Sequence, residues 1–146
     1  MNIIFEVLNK YYGYTSFKEG QYEIIINILK GRDSFCILPT GGGKSICYQI
    51  PAMIFKGITI VVSPLISLMK DQVDSLNENG IVAEYINSTQ SLNDIDHIMK
   101  KCYEGKIKLL YIAPERLENE FFKRKLRKLN ISQIAIDEAH CVSMWG

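Results

Sequence analysis

The stretch Leu38-Pro39-Thr40-Gly41-Gly42-Gly43-Lys44-Ser45 restricts the possible folds more than any other part of the chain. Ahead of it lies a short apolar run, Ser34-Phe35-Cys36-Ile37-Leu38, and behind it Ile46-Cys47-Tyr48-Gln49-Ile50, which can continue as a helix. Strand, glycine loop and helix in that order form a phosphate-binding loop. Consecutive glycines reach backbone angles closed to other residues, and with no Cβ in the way the N–H groups of Thr40, Gly41, Gly42 and Gly43 can converge on an anion. A helix opening at Lys44 adds the positive end of its dipole, Lys44 can reach β- and γ-phosphates, and the Ser45 hydroxyl is placed to ligate Mg²⁺. The usual first glycine of this pattern is Leu38 here, so the motif alone also fits a glycine-rich hairpin followed by an unrelated helix.

A second signal lies near the other end, in Ile134-Ala135-Ile136-Asp137-Glu138-Ala139-His140. An apolar run ending in Asp-Glu suits a strand-end carboxylate pair of a phosphate-loop NTPase. Asp137 would serve Mg²⁺, and Glu138 would orient or deprotonate the attacking water.

Between these motifs, strand-like and helix-like periods alternate. Ile3, Ile4, Val7, Leu8 and Tyr11 predict a first amphipathic helix ending near Gly13, and Ile24, Ile25, Ile28 and Leu29 a second from about Glu19 to Lys30. Strands are expected at 34–38, 58–62, 82–86, 109–112 and 131–137. Helices are expected after Pro64, with Leu65, Leu68, Met69, Val73 and Leu76 as core stripe, after a Ser91/Asp94 capping box, and from Pro114 to near Leu129. This alternation predicts an α/β fold, a parallel sheet with helices on both faces and ligand loops at the carboxyl ends of its strands. Its expected organisation is an N-terminal helical segment over residues 1–33, followed by a phosphate-loop NTPase domain over 34–146.

Composition narrows the function classes. Of 146 residues 47% are apolar, enough for one domain with a real core. No run approaches the roughly 20 apolar residues that span a bilayer, and Met1-Asn2-Ile3-Ile4-Phe5-Glu6 lacks a cationic start, so a cytoplasmic protein with no membrane partner is expected. Cys36, Cys47, Cys102 and Cys141 form no C-x-x-C pair, and His97 and His140 lie far apart, which predicts reduced, mostly buried thiols rather than zinc ligands. A formal charge of +1 exerts no global pull on polyanions. The cluster Lys123-Arg124-Lys125-Leu126-Arg127-Lys128 would spread its cations over more than one helix face, as a solvated surface does.

Taken together, five stretches resemble the first motor domain of RecQ-type DNA helicases in helicase superfamily 2. They are Phe17-Lys18-Glu19-Gly20-Gln21, Leu38 to Ser45, Val61 to Val73, Tyr111-Ile112-Ala113-Pro114-Glu115-Arg116-Leu117, and Asp137 to Gly146. Leu38 no longer counts against the motif, because that superfamily does not require the first glycine. The resemblance implies a RecA-like fold, ATP and Mg²⁺ as cofactors, and single-stranded or partly duplex DNA as partner. It implies an ATP-driven 3′-to-5′ motor acting in DNA repair or recombination, nucleoid-associated if the source is bacterial. An RNA helicase of the same superfamily and a non-catalytic nucleotide-binding module are the alternatives.

Residue by residue, the resemblance makes Lys44, Asp137, Glu138 and His140 catalytic and makes Gln21 the reader of the adenine edge, with Tyr14 and Lys18 on the base. Lys18 stands where the family has a planar arginine, and an ammonium stacks less well. Ser63, Lys70 and Arg116 would meet backbone phosphates, and Trp145 would stack on a base, although Lys70 also suits a solvated helix and Trp145 a core anchor. Met144 replaces the family's glutamine in the loop that couples DNA to hydrolysis. The resemblance further implies an incomplete domain. In the family a later strand inserts between the phosphate-loop strand and the Asp-Glu strand, so the sheet is expected to be split there. A second RecA-like domain with an arginine finger is expected beyond Gly146.

Overall fold

Short runs apolar on both faces, such as Ile58-Thr59-Ile60-Val61-Val62, can be strands only where helices cover the sheet on each side. That is the arrangement in the computed structural model, which describes residues 2–31, 35–38, 44–64 and 66–137, with backbone alone at 35–38, 44 and 137. Two helices, α1 (Ile3–Tyr12) and α2 (Gln21–Leu29), precede β1 (Phe35–Leu38). The chain then alternates through α3 (Lys44–Ile54), β2 (Ile58–Val62), α4 (Ile66–Glu78), β3 (Ala83–Ile86), α5 (Leu92–Tyr103) and β4 (Leu109–Ile112). A 3₁₀ turn (Pro114–Glu118), α6 (Glu120–Arg127) and β5 (Ile131–Asp137) complete it. All pairings are parallel, in the order β1-β5-β2-β4-β3.

Alternate residues along each strand serve the two faces. Ile60, Val62, Leu110, Ile112 and Ile136 pack against Ile95 and Met99 of α5 and Phe122 and Leu126 of α6. Val61, Leu109, Tyr111 and Ala135 meet Cys47 and Tyr48 of α3 and Met69, Val73 and Leu76 of α4. A further layer forms where Ile4, Val7 and Leu8 of α1 and Ile25 of α2 close over Ile50 of α3. Local chemistry sets the helix ends. Asn2 caps α1 by accepting from Ile4 N–H at 2.8 Å, and Gly13 ends the helix at φ +74°. The Ser91/Asp94 capping box opens α5 as its spacing predicts.

Four expectations need correction. The sheet is not split, because β1 pairs directly with β5 over four residue pairs, from Phe35↔Ile134 to Leu38↔Asp137. Unpaired β1 backbone would otherwise lack hydrogen-bond partners. The helix expected from Pro114 is two elements. Asn119 takes an extended conformation, and its side chain accepts from Phe122 N–H at 3.0 Å, so α6 starts afresh from its own cap. Leu68 is 45% exposed and outside the α4 core stripe, and Ile24 likewise lies on the outer face of α2.

Where β2 meets β5 the register shifts, with Ile58↔Ile131 followed by Thr59↔Gln133, so Ser132 is the extra residue of a bulge. Gly57 lies against it. Its N–H donates to Ser132 Oγ at 2.8 Å, and a Cβ there would stand 2.2 Å from the Asn130 carbonyl oxygen and 2.5 Å from Ser132 Oγ. That carbonyl oxygen also accepts from Ile58 N–H at 2.9 Å and cannot retreat without breaking the rung. Gly57→Ala should therefore destabilise the chain by about 2–3 kcal/mol, read as a lower urea midpoint. An unchanged midpoint would show that the bulge adjusts freely.

Cys47 and Cys102 are buried, as expected of most of the thiols; Cys36 and Cys141 have no described side chains. Burial, aided by the Glu84 carboxylate and opposed by Lys101, pushes the Cys102 thiol up to about 12. A thiol held neutral adds stability that is complete below its unfolded pKa, about 8.5, and is lost as pH rises toward the folded value. The urea midpoint should fall from about pH 8.5 upward, and Cys102→Ala should make that fall shallower. The same slope in both proteins would rule Cys102 out as the titrating group.

Candidate functional site

Parallel pairing lines up the strand ends. Ile86, Ile112, Val62 and Ile136 are successive register partners across β3, β4, β2 and β5, and Asp137 is paired with Leu38 of β1. With strands about 4.8 Å apart, β1 and β5 end side by side at the same edge. The segments after β2, β4 and β3 continue the row, tied by Ser63 N–H to Ile112 O at 3.1 Å and Ala113 N–H to Ile86 O at 3.2 Å.

At the β1–β5 end, α3 begins at Lys44, and Ser45 lines a cleft of about 310 Å³ with Tyr12, Gln49, Leu68 and Asp71. A hydroxyl at the start of α3 and a carboxylate-bearing residue at the end of β5 are hard oxygen donors of the kind Mg²⁺ takes, so the residues fit that ion. Thr40, Gly41, Gly42, Gly43, Glu138, His140 and Trp145 lie outside the described residues, as does Met144; Lys44 and Asp137 are described by their backbone alone.

The segment assigned to adenine is held by a local clamp. Gln21 is the first residue of α2, its N–H donates to Lys18 O at 3.1 Å, and its Oε1 accepts from Lys18 N–H at 2.8 Å. This reciprocal pair explains why a polar residue at a helix start is only 8% exposed. Lys18 is itself exposed, and so is Tyr14, earlier in the same connection between α1 and α2. Phe17 packs edge-on to Phe5 at 5.2 Å between centroids, and Phe5 stacks on Tyr22 at 5.4 Å, which fastens the segment to α1 and α2.

The residues assigned to nucleic acid differ in their surroundings. Ser63 is buried at the end of β2. Lys70 is exposed on α4 and pairs with Asp74 at 2.8 Å; that carboxylate, by hydrogen bond and by charge, raises the ammonium pKa. Arg116 is half-buried, its Nη2 donating to Asn87 O at 2.9 Å.

Sequence reasoning missed the Asn87 loop and a tyrosine network. Asn87 Oδ1 accepts from Thr89 N–H and Oγ1–H at 2.8 and 2.6 Å, while Gln90 bridges Asn87 N–H and Tyr85 O. The run Asn87-Ser88-Thr89-Gln90 after a strand was the available signal, since such residues bond their own backbone. Within the core the Tyr12 hydroxyl donates to Gln49 Oε1, and Gln49 Nε2 donates to the Tyr111 hydroxyl at 3.2 Å. The Tyr48 and Tyr111 hydroxyls lie 2.8 Å apart. Burial first, and Tyr111 second, push the Tyr12 phenol up, so it remains a donor. No sequence period marks this network, because its members come from three separate elements.

A family profile described as DEAD/DEAH box helicase matches residues 18–146. Over 141 residues the chain is 56% identical to the ATP-dependent DNA helicase RecQ of Bacillus subtilis (strain 168), covering 96% of this chain and 24% of that protein. Against the protein of the same name from Pasteurella multocida (strain Pm70) it is 50% identical, covering 97% and 22%. The chain thus spans about a quarter of the length of these relatives. The DUF1998 helicase MrfA, crystallised bound to DNA and AMPPNP, matches at TM-score 0.74 and 22% identity over 96% of this chain and 21% of that one, a likeness of fold. With the profile covering most of its length and these identities in its favour, the chain belongs to the DEAD/DEAH box helicase family, in its RecQ-type branch.

Proposed function

We propose that this chain is the first ATP-binding motor half of a 3′-to-5′ DNA helicase that serves repair or recombination. The observation that carries the reading is the β1–β5 register, in which Leu38, where the glycine loop begins, partners Asp137, where the Asp-Glu motif begins. ATP with Mg²⁺ supplies a polarised γ-phosphoryl group when bound. The chain's own residues then have distinct tasks. The loop amides of Thr40 to Gly43 and the Lys44 ammonium neutralise the phosphate oxygens. Ser45 and Asp137 hold Mg²⁺, and Glu138 orients the attacking water and accepts its proton, with His140 in the same catalytic group.

Gln21, fixed by its exchange with Lys18, reads the adenine edge, and Tyr14 and Lys18 flank the base. Lys70, Arg116, Ser63 and Trp145 form the DNA side of the site. On this reading Lys70 and Arg116 exchange their contacts with Asp74 and the Asn87 carbonyl oxygen for a phosphate when DNA binds. A second motor domain beyond Gly146 supplies the arginine finger, worth roughly 10³–10⁵ in rate in related NTPases, so the 146 residues alone do not unwind DNA.

Binding of a fluorescent ATP analogue with Mg²⁺ should weaken at least about tenfold on Lys44→Ala; equal affinity in both proteins removes the phosphate-loop assignment. Gln21→Ala should cost affinity for ATP but little for GTP, and equal losses for both would mean that Gln21 reads no base. In the full-length protein, single-stranded DNA should stimulate hydrolysis more than RNA of the same sequence, and the reverse order would select the RNA helicase reading.

A further inference from the structure

A cavity of about 350 Å³ opens at the amino ends of β2, β4 and β5, the edge opposite the site described above. Lys56, Lys108 and Lys128 line it, together with Gly57, Asn130 and Tyr103, and no acidic residue is among its described lining. Lys108 is held in the wall, its Nζ donating to Phe55 O at 2.8 Å. Lys56 and Lys128 have no ion pair among the described residues.

The cations of α6 divide into two sets that the sequence does not distinguish. Lys123 is neutralised by Glu120 at 3.1 Å, and Lys125 by Asp96 at 2.8 Å, with its ammonium also 4.8 Å from the Phe121 ring centre. Arg124 and Arg127 are exposed and carry no ion pair among the described residues. Lys128 keeps helical geometry at φ −80°, ψ −11°, so Arg124, Arg127 and Lys128, at i, i+3 and i+4, share one face. The helix dipole favours cations at this terminus, which accounts for their place on α6. It does not account for Lys56 and Lys108, which reach the same cavity from other elements.

We infer that the cavity and this face of α6 form a second nucleic-acid contact surface, binding the sugar-phosphate backbone without regard to sequence. A compact anion would satisfy the cavity alone. The row of cations beyond it, which have no ion pairs among the described residues, fits a polymer with repeating phosphates. Ammonium and guanidinium groups that meet phosphates carry no base information. With a net charge of only +1, the chain attracts a polyanion through such local concentrations and not as a whole.

The test is binding of a labelled oligothymidylate to the 146-residue chain, followed by anisotropy across a salt series. Arg127→Gln/Lys128→Gln should weaken binding and reduce the slope of log affinity on log salt by ~1.4, or ~0.7 for each phosphate no longer neutralised. Lys123→Gln/Lys125→Gln removes the same charge from the same helix, yet should leave the slope unchanged. Equal slopes in all three proteins, or equal reductions in the two variants, would overturn the proposal. So would no binding by the unaltered chain, or displacement of the oligonucleotide by polyglutamate as readily as by unlabelled DNA. Because the substituted residues lie on the edge away from Lys44, unchanged binding of the ATP analogue by Arg127→Gln/Lys128→Gln separates this surface from the nucleotide site.

Discussion

The pairing of β5 with both β1 and β2 is the constraint on which the rest of the structure depends. It brings residues far apart along the chain into register, as Leu38 with Asp137 and Val62 with Ile136. Neither backbone could be buried alone, since an unpaired N–H or C=O away from water costs about as much as a broken hydrogen bond. Burial of the side chains adds the driving force; Val61, Val62, Ala135 and Ile136 are fully inaccessible. The Ser132 bulge and the close approach of Gly57 to Asn130 adjust the amino end of this pairing without disturbing the aligned carboxyl end.

Polar groups inside the two packed layers are placed with equal economy. Tyr12, Gln49, Tyr111 and Tyr48 connect α1, α3 and β4, and Gln133 of β5 donates to Tyr48 O and Thr59 Oγ1 at 3.0 Å. Such a network adds less net stability than apolar burial, but its directional bonds favour the observed arrangement of α1 and α3 over the sheet. That specificity matters near α3, whose first residues are Lys44 and Ser45.

Much of the fold was legible because periodicity and caps are local. Gly13, Gly80, the Ser91/Asp94 box and the β-branched run 58–62 each carry their physical cause within a few residues. Expectation and structure part where local chemistry competes or a partner is distant. Asn119 captured the start of α6 from Pro114, and Leu68 kept a helical period while facing outward. At the site, motif spacing pointed to one edge of the sheet. Ion pairing decided more than residue type did for the cations, since Lys70, Lys123 and Lys125 have carboxylate partners and Arg124, Arg127 and Lys128 have none among the described residues.

By itself the sequence determined the alternation of strands and helices, the glycine loop and the Asp-Glu strand end, because each is written in contiguous residues. Only the tertiary structure decided that β1 lies beside β5, that Gln21 is locked to Lys18, and which basic side chains of α6 meet a carboxylate. Those outcomes depend on which distant groups are brought within hydrogen-bond or ion-pair range. Side-chain type and spacing along the chain do not encode that distance until the sheet has closed.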